Sequence, residues 1–168
     1  MVKVGINGFG RIGRLILRAL LENYKGKIQV VGINDLGSIE ANAHLIKFDS
    51  THGTLSLDVK TTSEGFQIGD QNIKVFAERD PAKLPWGKIG ADVVLECTGF
   101  FLDKKTAGKH IEAGAKKVII SAPAKEVDFT VVQGVNSKDL KKDHNIISNG
   151  SCTTNCLAPV AMVLENTF

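Results

Sequence analysis

Apolar positions along the chain follow two periods in alternation. "VKVGIN" at residues 2–7 is a short β-rich run, and past a glycine-rich turn Ile12, Leu15, Ile16, Ala19 and Leu20 recur at helical spacing. A second apolar run, "IQVVGIN", ends at Asp35, so residues 1–35 read as one βαβ unit whose strands pair in parallel. Ser38 suits the N-cap of a helix reaching about Phe48. "LSLDVK", "GFQI" and "NIKVFA" then alternate apolar and polar residues between turn-forming residues, the pattern of a small antiparallel excursion. The first pattern resumes with "DVVLEC" as a buried strand, "DKKTAGKHIEAGA" as a helix closed by Gly114, and "KVIIS" as another buried strand. "FTVVQGV" and "NIISN" predict two further strands, and "CTTNCLAPVAMVLE" a last helix. The expected fold is α/β: a doubly wound, mainly parallel sheet of the Rossmann type with a small antiparallel excursion and a C-terminal helix.

Composition narrows the partners. With 168 residues and 43% apolar content the chain can bury a core of its own. A net charge of +3, from 21 basic and 18 acidic residues, argues for neither a nucleic-acid nor a membrane partner. The lysine pairs Lys104-Lys105, Lys116-Lys117 and Lys141-Lys142 lack interleaved aromatic residues and read as solvated surface. No apolar run approaches the ~18 residues of a membrane span, and "MVKVGINGFGR" enters a strand with no signal-peptide layout, so a cytoplasmic location is expected. Cys97, Cys152 and Cys156 match neither a disulfide framework nor a zinc spacing; reduced thiols and no metal are expected.

Two stretches carry candidate chemistry. Gly8-Phe9-Gly10-Arg11-Ile12-Gly13 is a G-x-G-x-x-G that follows a strand and opens a helix. Gly8 permits the sharp turn, Gly10 allows backbone against a pyrophosphate, and Gly13 lets helix and strand close up, with free N–H groups facing the anion. Asp35 lies near the offset at which a carboxylate accepts from ribose hydroxyls and repels a 2'-phosphate; Leu36, not an arginine, follows, favouring NAD over NADP. On the residues alone, the glycines and Asp35 also suit an ordinary tight turn. Cys152 falls at the start of a helix, where unpaired N–H groups and the dipole favour a thiolate. Ser151, Thr153 and Thr154 crowd hydroxyls around it, as substrate contacts or as simple caps. Cys156, one turn on, is expected to point into the packing interior, and Cys97 to be buried and inert. A nucleotide fold with a reactive thiol suggests aldehyde oxidation through a thiohemiacetal and a thioester.

"INGFGRIGR", "DSTHG", "ERDPAKLPW", "ECTG", "AGAKKVIISAPAK" and "SNGSCTTNCLAPV" together resemble the amino-terminal part of the phosphorylating glyceraldehyde-3-phosphate dehydrogenases, over essentially the whole chain. The resemblance implies NAD-dependent oxidation of glyceraldehyde 3-phosphate with inorganic phosphate, in a homotetramer. It implies Cys152 as nucleophile, Arg11 and Ile12 at the pyrophosphate, Asp35 at the ribose and Arg79 at the adenine. Thr98, Gly99 and Ser121 fall on the nicotinamide side, Ser151 and Thr153 in the substrate and phosphate site. Erythrose-4-phosphate dehydrogenase shares the cysteine signature and is the near alternative; a non-catalytic nucleotide-binding module is the other. Gly150 stands where the family more usually has alanine. The family's catalytic histidine belongs to a motif downstream of the thiol that His44, His52, His110 and His144 do not match. The expectation is therefore a fragment, with residues 1–150 as the cofactor domain and 151–168 as the start of a catalytic domain, binding NAD but inactive alone.

Overall fold

β1 (Val2–Asn7) leads into α1 (Arg11–Asn23), and β2 (Ile28–Asn34) returns beside β1 in parallel, with Val2 opposite Ile28 and Asn7 opposite Asn34. The computed structural model describes all 168 residues. It continues through α2 (Ile39–Lys47), the short pair β3 (Phe48–Asp49) and β4 (Gly53–Thr54), β5 (Val59–Thr62), β6 (Gly65–Ile68) and β7 (Gln71–Phe76). Then come α3 (Trp86–Ile89), β8 (Val93–Glu96), α4 (Lys104–Glu112), β9 (Lys117–Ile120), β10 (Phe129–Thr130), β11 (Ile146–Ser148) and α5 (Cys152–Thr167). Nine strands form one sheet in the order β10-β11-β9-β8-β1-β2-β7-β6-β5, while β3 and β4 pair separately. Strand order runs outward from β1 in both directions, so the β1–β8 boundary is the switch point at which a crevice opens beyond the strand ends.

Both faces of the central strands are covered. Val4, Ile6 and Ile33 point to one face and pack with Leu17 of α1, Ile46 of α2 and Phe66, all buried; each such side chain stabilises the fold by about 1.5–3 kcal/mol. On the other face Gly5 and Gly32 leave a notch for Trp86: a Cβ on Gly5 would lie 2.6 Å from the indole ring, and one on Gly32 would lie 2.6 Å from Ile89. Arg18, buried without a carboxylate partner, donates to the carbonyls of Ile46 (2.9 Å), Lys47 (3.1 Å) and Gly53 (2.9 Å). It thereby satisfies the C-terminal carbonyls of α2 and fastens the β3–β4 turn to α1.

The expected elements are present with changed lengths. Ser38 caps α2 by accepting from the Ala41 N–H (3.1 Å), and Asp103 caps α4 in the same way through Thr106 (2.7 Å). The antiparallel excursion is joined to the main sheet, because β7 pairs parallel with β2 while β6 pairs antiparallel with β7. "FTVVQGV" shortens to the two residues of β10, since the chain turns at Gly134 (φ +83°) with Asn136 accepting from the Val132 N–H. None of the residues of α5 is buried. Cys156 is therefore exposed, against the expectation that it points into the interior: no layer of this chain packs on that helix. No helix is long and apolar enough to cross a membrane.

Candidate functional site

The parallel strands β8, β1, β2 and β7 end on one edge of the sheet, and above those ends lies a crevice of about 550 Å³. Asn7, Gly8, Gly10, Asn34, Asp35, Leu36, Glu78, Arg79, Cys97, Thr98, Phe100 and Phe101 line it. Gly8 turns the chain at φ +91°, and a Cβ there would meet the Cys97–Thr98 backbone at 2.8 Å. A Cβ on Gly13 would lie 2.2 Å from the Gly8 carbonyl oxygen, so only glycine lets α1 sit this close to β1. The space beside Gly10 is open to 4 Å. The N–H groups of residues 10–13 find no acceptor in the protein, and no side chain caps the helix. A row of free donors facing a crevice, with room for close approach at Gly10, fits a pyrophosphate.

Asp35 closes the β2 side. One carboxylate oxygen accepts from the Phe9 N–H (2.8 Å) and the other from the Gly37 N–H (2.8 Å), which fixes the glycine turn against the end of β2. The Arg11 side chain turns away to pair with Asp49 at 2.9 Å. The His52 and Thr51 N–H groups, with Arg11 adding to them, hold the Asp49 carboxyl down at about 2. Arg11, Ile12, Gly13, Gly99 and Ser121 thus border the crevice without lining it, whereas Gly8, Gly10, Asp35, Arg79 and Thr98 line it. Cys97 is half-buried in the wall, and burial pushes its thiol up to about 11 despite a hydrogen bond with Ser121.

Cys152 stands at the same edge of the sheet, because β11 runs parallel to β9 and ends just before it. It is exposed at the first position of α5. The Ser151 hydroxyl caps that helix, accepting from the Thr154 N–H (2.9 Å) and lying 2.8 Å from the Thr153 hydroxyl. The Asn155 amide donates to the carbonyls of Asn149 (2.6 Å) and Ser151 (2.9 Å), pinning the turn that presents the thiol. Gly150 has φ +67°, the left-handed region, so glycine relieves strain there rather than loosening the turn. None of the four histidines hydrogen-bonds to Ser151, Cys152 or Thr153. His110 is fully buried between Trp86 and Glu96.

One group of residues was absent from the sequence reading. Asn7, Asn34 and Glu96 stand opposite one another at the ends of β1, β2 and β8, all buried, directly beneath the crevice. Its signal was the repeated "VGIN" at the ends of β1 and β2, two apolar strands each finishing on an asparagine.

Residues 2–104 match the family described as glyceraldehyde 3-phosphate dehydrogenase, NAD binding domain. The glyceraldehyde-3-phosphate dehydrogenase of Xanthobacter flavus is 54% identical over 165 residues, covering 98% of this chain and 49% of that protein. That of Zymomonas mobilis is 58% identical over 165 residues, with the same coverage, and glyceraldehyde-3-phosphate dehydrogenase 1 of Bacillus subtilis is 55% identical over 168 residues (99% and 50%). The chain spans about half the length of the curated relatives it matches.

Proposed function

Because the chain belongs to the glyceraldehyde-3-phosphate dehydrogenase family, through that family's NAD-binding domain, we propose that it supplies the dinucleotide crevice and the sulfur nucleophile of a phosphorylating aldehyde dehydrogenase. The observation that carries this reading is the position of Cys152, exposed at a capped helix start on the edge of the sheet that bears the crevice.

In this reading the free N–H groups at residues 10–13, with Gly8 shaping the turn, hold the pyrophosphate. Asp35 accepts from the adenosine ribose and excludes a 2'-phosphate, and Arg79 borders the adenine. Thr98, Gly99 and Ser121 face the nicotinamide half. NAD, when bound, supplies the acceptor for the hydride of the aldehyde. Cys152 Sγ bonds the aldehyde carbon of glyceraldehyde 3-phosphate and retains the acyl group as a thioester until inorganic phosphate displaces it. The Ser151 and Thr153 hydroxyls, already ordered by the cap, donate to phosphate oxygens. No histidine of this chain takes the general-base role. Family membership supports a homotetramer in the cytoplasm; residues 1–150, which end just past β11, form the cofactor domain in this reading, and 151–168, with α5, open the catalytic one.

The test joins this chain to the remaining half of the Bacillus subtilis relative. Aldehyde- and phosphate-dependent NADH formation is expected, and Cys152→Ser should abolish it while leaving NAD binding intact. Turnover surviving that substitution would refute the assignment, and faster turnover of erythrose 4-phosphate would replace the substrate.

A further inference from the structure

The buried row beneath the crevice is part of a longer polar chain. The Trp86 indole N–H donates to His110 Nδ1 (2.9 Å), which leaves the His110 proton on Nε2, directed at Glu96 Oε2 (3.0 Å). Asn7 Nδ2 donates to the same oxygen (2.6 Å), and Asn34 Nδ2 donates to Asn7 Oδ1 (2.7 Å) and to the Glu78 carbonyl (2.8 Å). The Glu78 N–H returns a bond to Asn34 Oδ1 (2.8 Å). At the other end, Glu96 Oε1 accepts from both the Thr98 N–H (2.7 Å) and the Thr98 hydroxyl, and that hydroxyl accepts from the Phe100 N–H (3.1 Å). A single connected network therefore runs under the crevice from the Glu78–Arg79 wall to the Thr98–Phe100 wall.

Glu96 is the hub. It is 1% exposed, and every partner it has is a donor. Asp35 sits on the β2 side of the pyrophosphate donors and Thr98 on the β8 side, so a dinucleotide with its adenosine ribose at Asp35 extends its other half over Thr98. We propose that Glu96 is a positioning residue: through Thr98 it holds the crevice wall that receives the nicotinamide half, and so sets the preference for the complete dinucleotide over its adenosine portion. This rests on the crevice being the NAD site.

Replacing Glu96 by glutamine puts an amide donor against donors whichever way it is turned. The lesser conflict has the amide facing Thr98, whose hydroxyl can rotate to accept, so the damage falls on that wall. Calorimetric titration of the chain with NAD and with ADP-ribose, which lacks the nicotinamide, reads this directly. Glu96→Gln should weaken NAD roughly ten- to a hundredfold, the loss of a buried hydrogen bond to a charged group. ADP-ribose affinity should change by less than about threefold. Thr98→Val should reproduce that selective loss, and Thr98→Ser, which restores the hydroxyl, should recover NAD binding relative to it. If the Glu96→Gln variant does not fold, Glu96→Asp, which keeps the charge while drawing it back from Thr98, is titrated in its place and read by the same outcomes. Equal loss of both ligands, or NAD binding unchanged in Glu96→Gln, overturns the proposal as a purely structural role would. Equal affinity of the unaltered chain for the two ligands overturns it while leaving the dinucleotide site standing. Binding of neither ligand defeats the proposed function and this inference with it.

Discussion

Substituting Arg18 by methionine tests the joint between α1, α2 and the β3–β4 turn. Methionine retains most of the apolar stem, so packing changes little and the loss is polar. Three bonds of 2.9–3.1 Å to the carbonyls of Ile46, Lys47 and Gly53 disappear, together with a second, longer bond to Ile46 (3.2 Å) and one to the His52 carbonyl (3.5 Å). Lys47 keeps the Leu55 N–H as a donor, whereas the Ile46 carbonyl, inside the last turn of α2, has Arg18 as its donor. A hydrogen bond to a charged group is worth about 1.5–3 kcal/mol, and an orphaned buried carbonyl costs about 1–3 kcal/mol. The guanidinium's own desolvation cost is recovered and no partner charge is stranded, so the terms do not simply add, and the net loss is about 2–4 kcal/mol. For a chain of this length that is a fall in Tm on the order of 10 °C. Urea denaturation followed by circular dichroism measures it, with an unchanged m-value showing that unfolding still exposes the same surface. Arg18→Lys should recover only part of the loss, because an ammonium cannot span these carbonyls as a planar fork does. A methionine variant within about 1 kcal/mol of the parent would falsify the assignment of Arg18 as the clamp.

Gly13→Ala should cost about 2 kcal/mol or more, since its Cβ must be relieved from 2.2 Å against the Gly8 carbonyl. Gly10→Ala, with nothing within 4 Å, should leave stability within about 1 kcal/mol but weaken NAD, and unchanged affinity in titration would count against the pyrophosphate assignment. Lys104 and the Ile146 and Asn145 N–H groups lower the Asp128 carboxyl from 3.8 to about 2, so the unfolded chain takes up its proton first and this stabilisation, complete above about pH 4, is lost as pH falls toward 2. Asp128→Asn should flatten the stability profile in that window without abolishing it, because Asp49 titrates in the same direction; an unchanged slope would contradict the account. Iodoacetamide at pH 8, read by peptide mass spectrometry, should label the exposed Cys152 and Cys156 and spare Cys97, whose thiol is raised to about 11. Equal labelling of Cys97 would show that its wall opens.

Much of this architecture was legible because its causes are local. The three glycines of Gly8–Gly13 sit between a strand and a helix, and their steric reasons act within a few residues, at the Gly8 carbonyl and the Cys97–Thr98 backbone. Ser38 caps its helix by a bond three residues long, so its role shows in the sequence. The β3–β4 pair did not show, since two-residue strands carry no period. The Asn7–Asn34–Glu96–His110 network draws on four elements with bonded partners up to 89 residues apart, and strand register, not spacing, brings it together. Cys156 was misread because helical apolar residues normally find a layer to pack on, and α5 has none within this chain.

Seated in the notch left by Gly5 and Gly32, Trp86 is also a built-in fluorophore. It is the sole tryptophan of the sequence and has no exposed surface, so tryptophan emission comes from one dry locus rather than an average over several. Its indole N–H is engaged by His110, so water reaching the ring shifts the emission to the red as the sheet and α4 part company. Loosening at that seam is thus visible in the unlabelled protein.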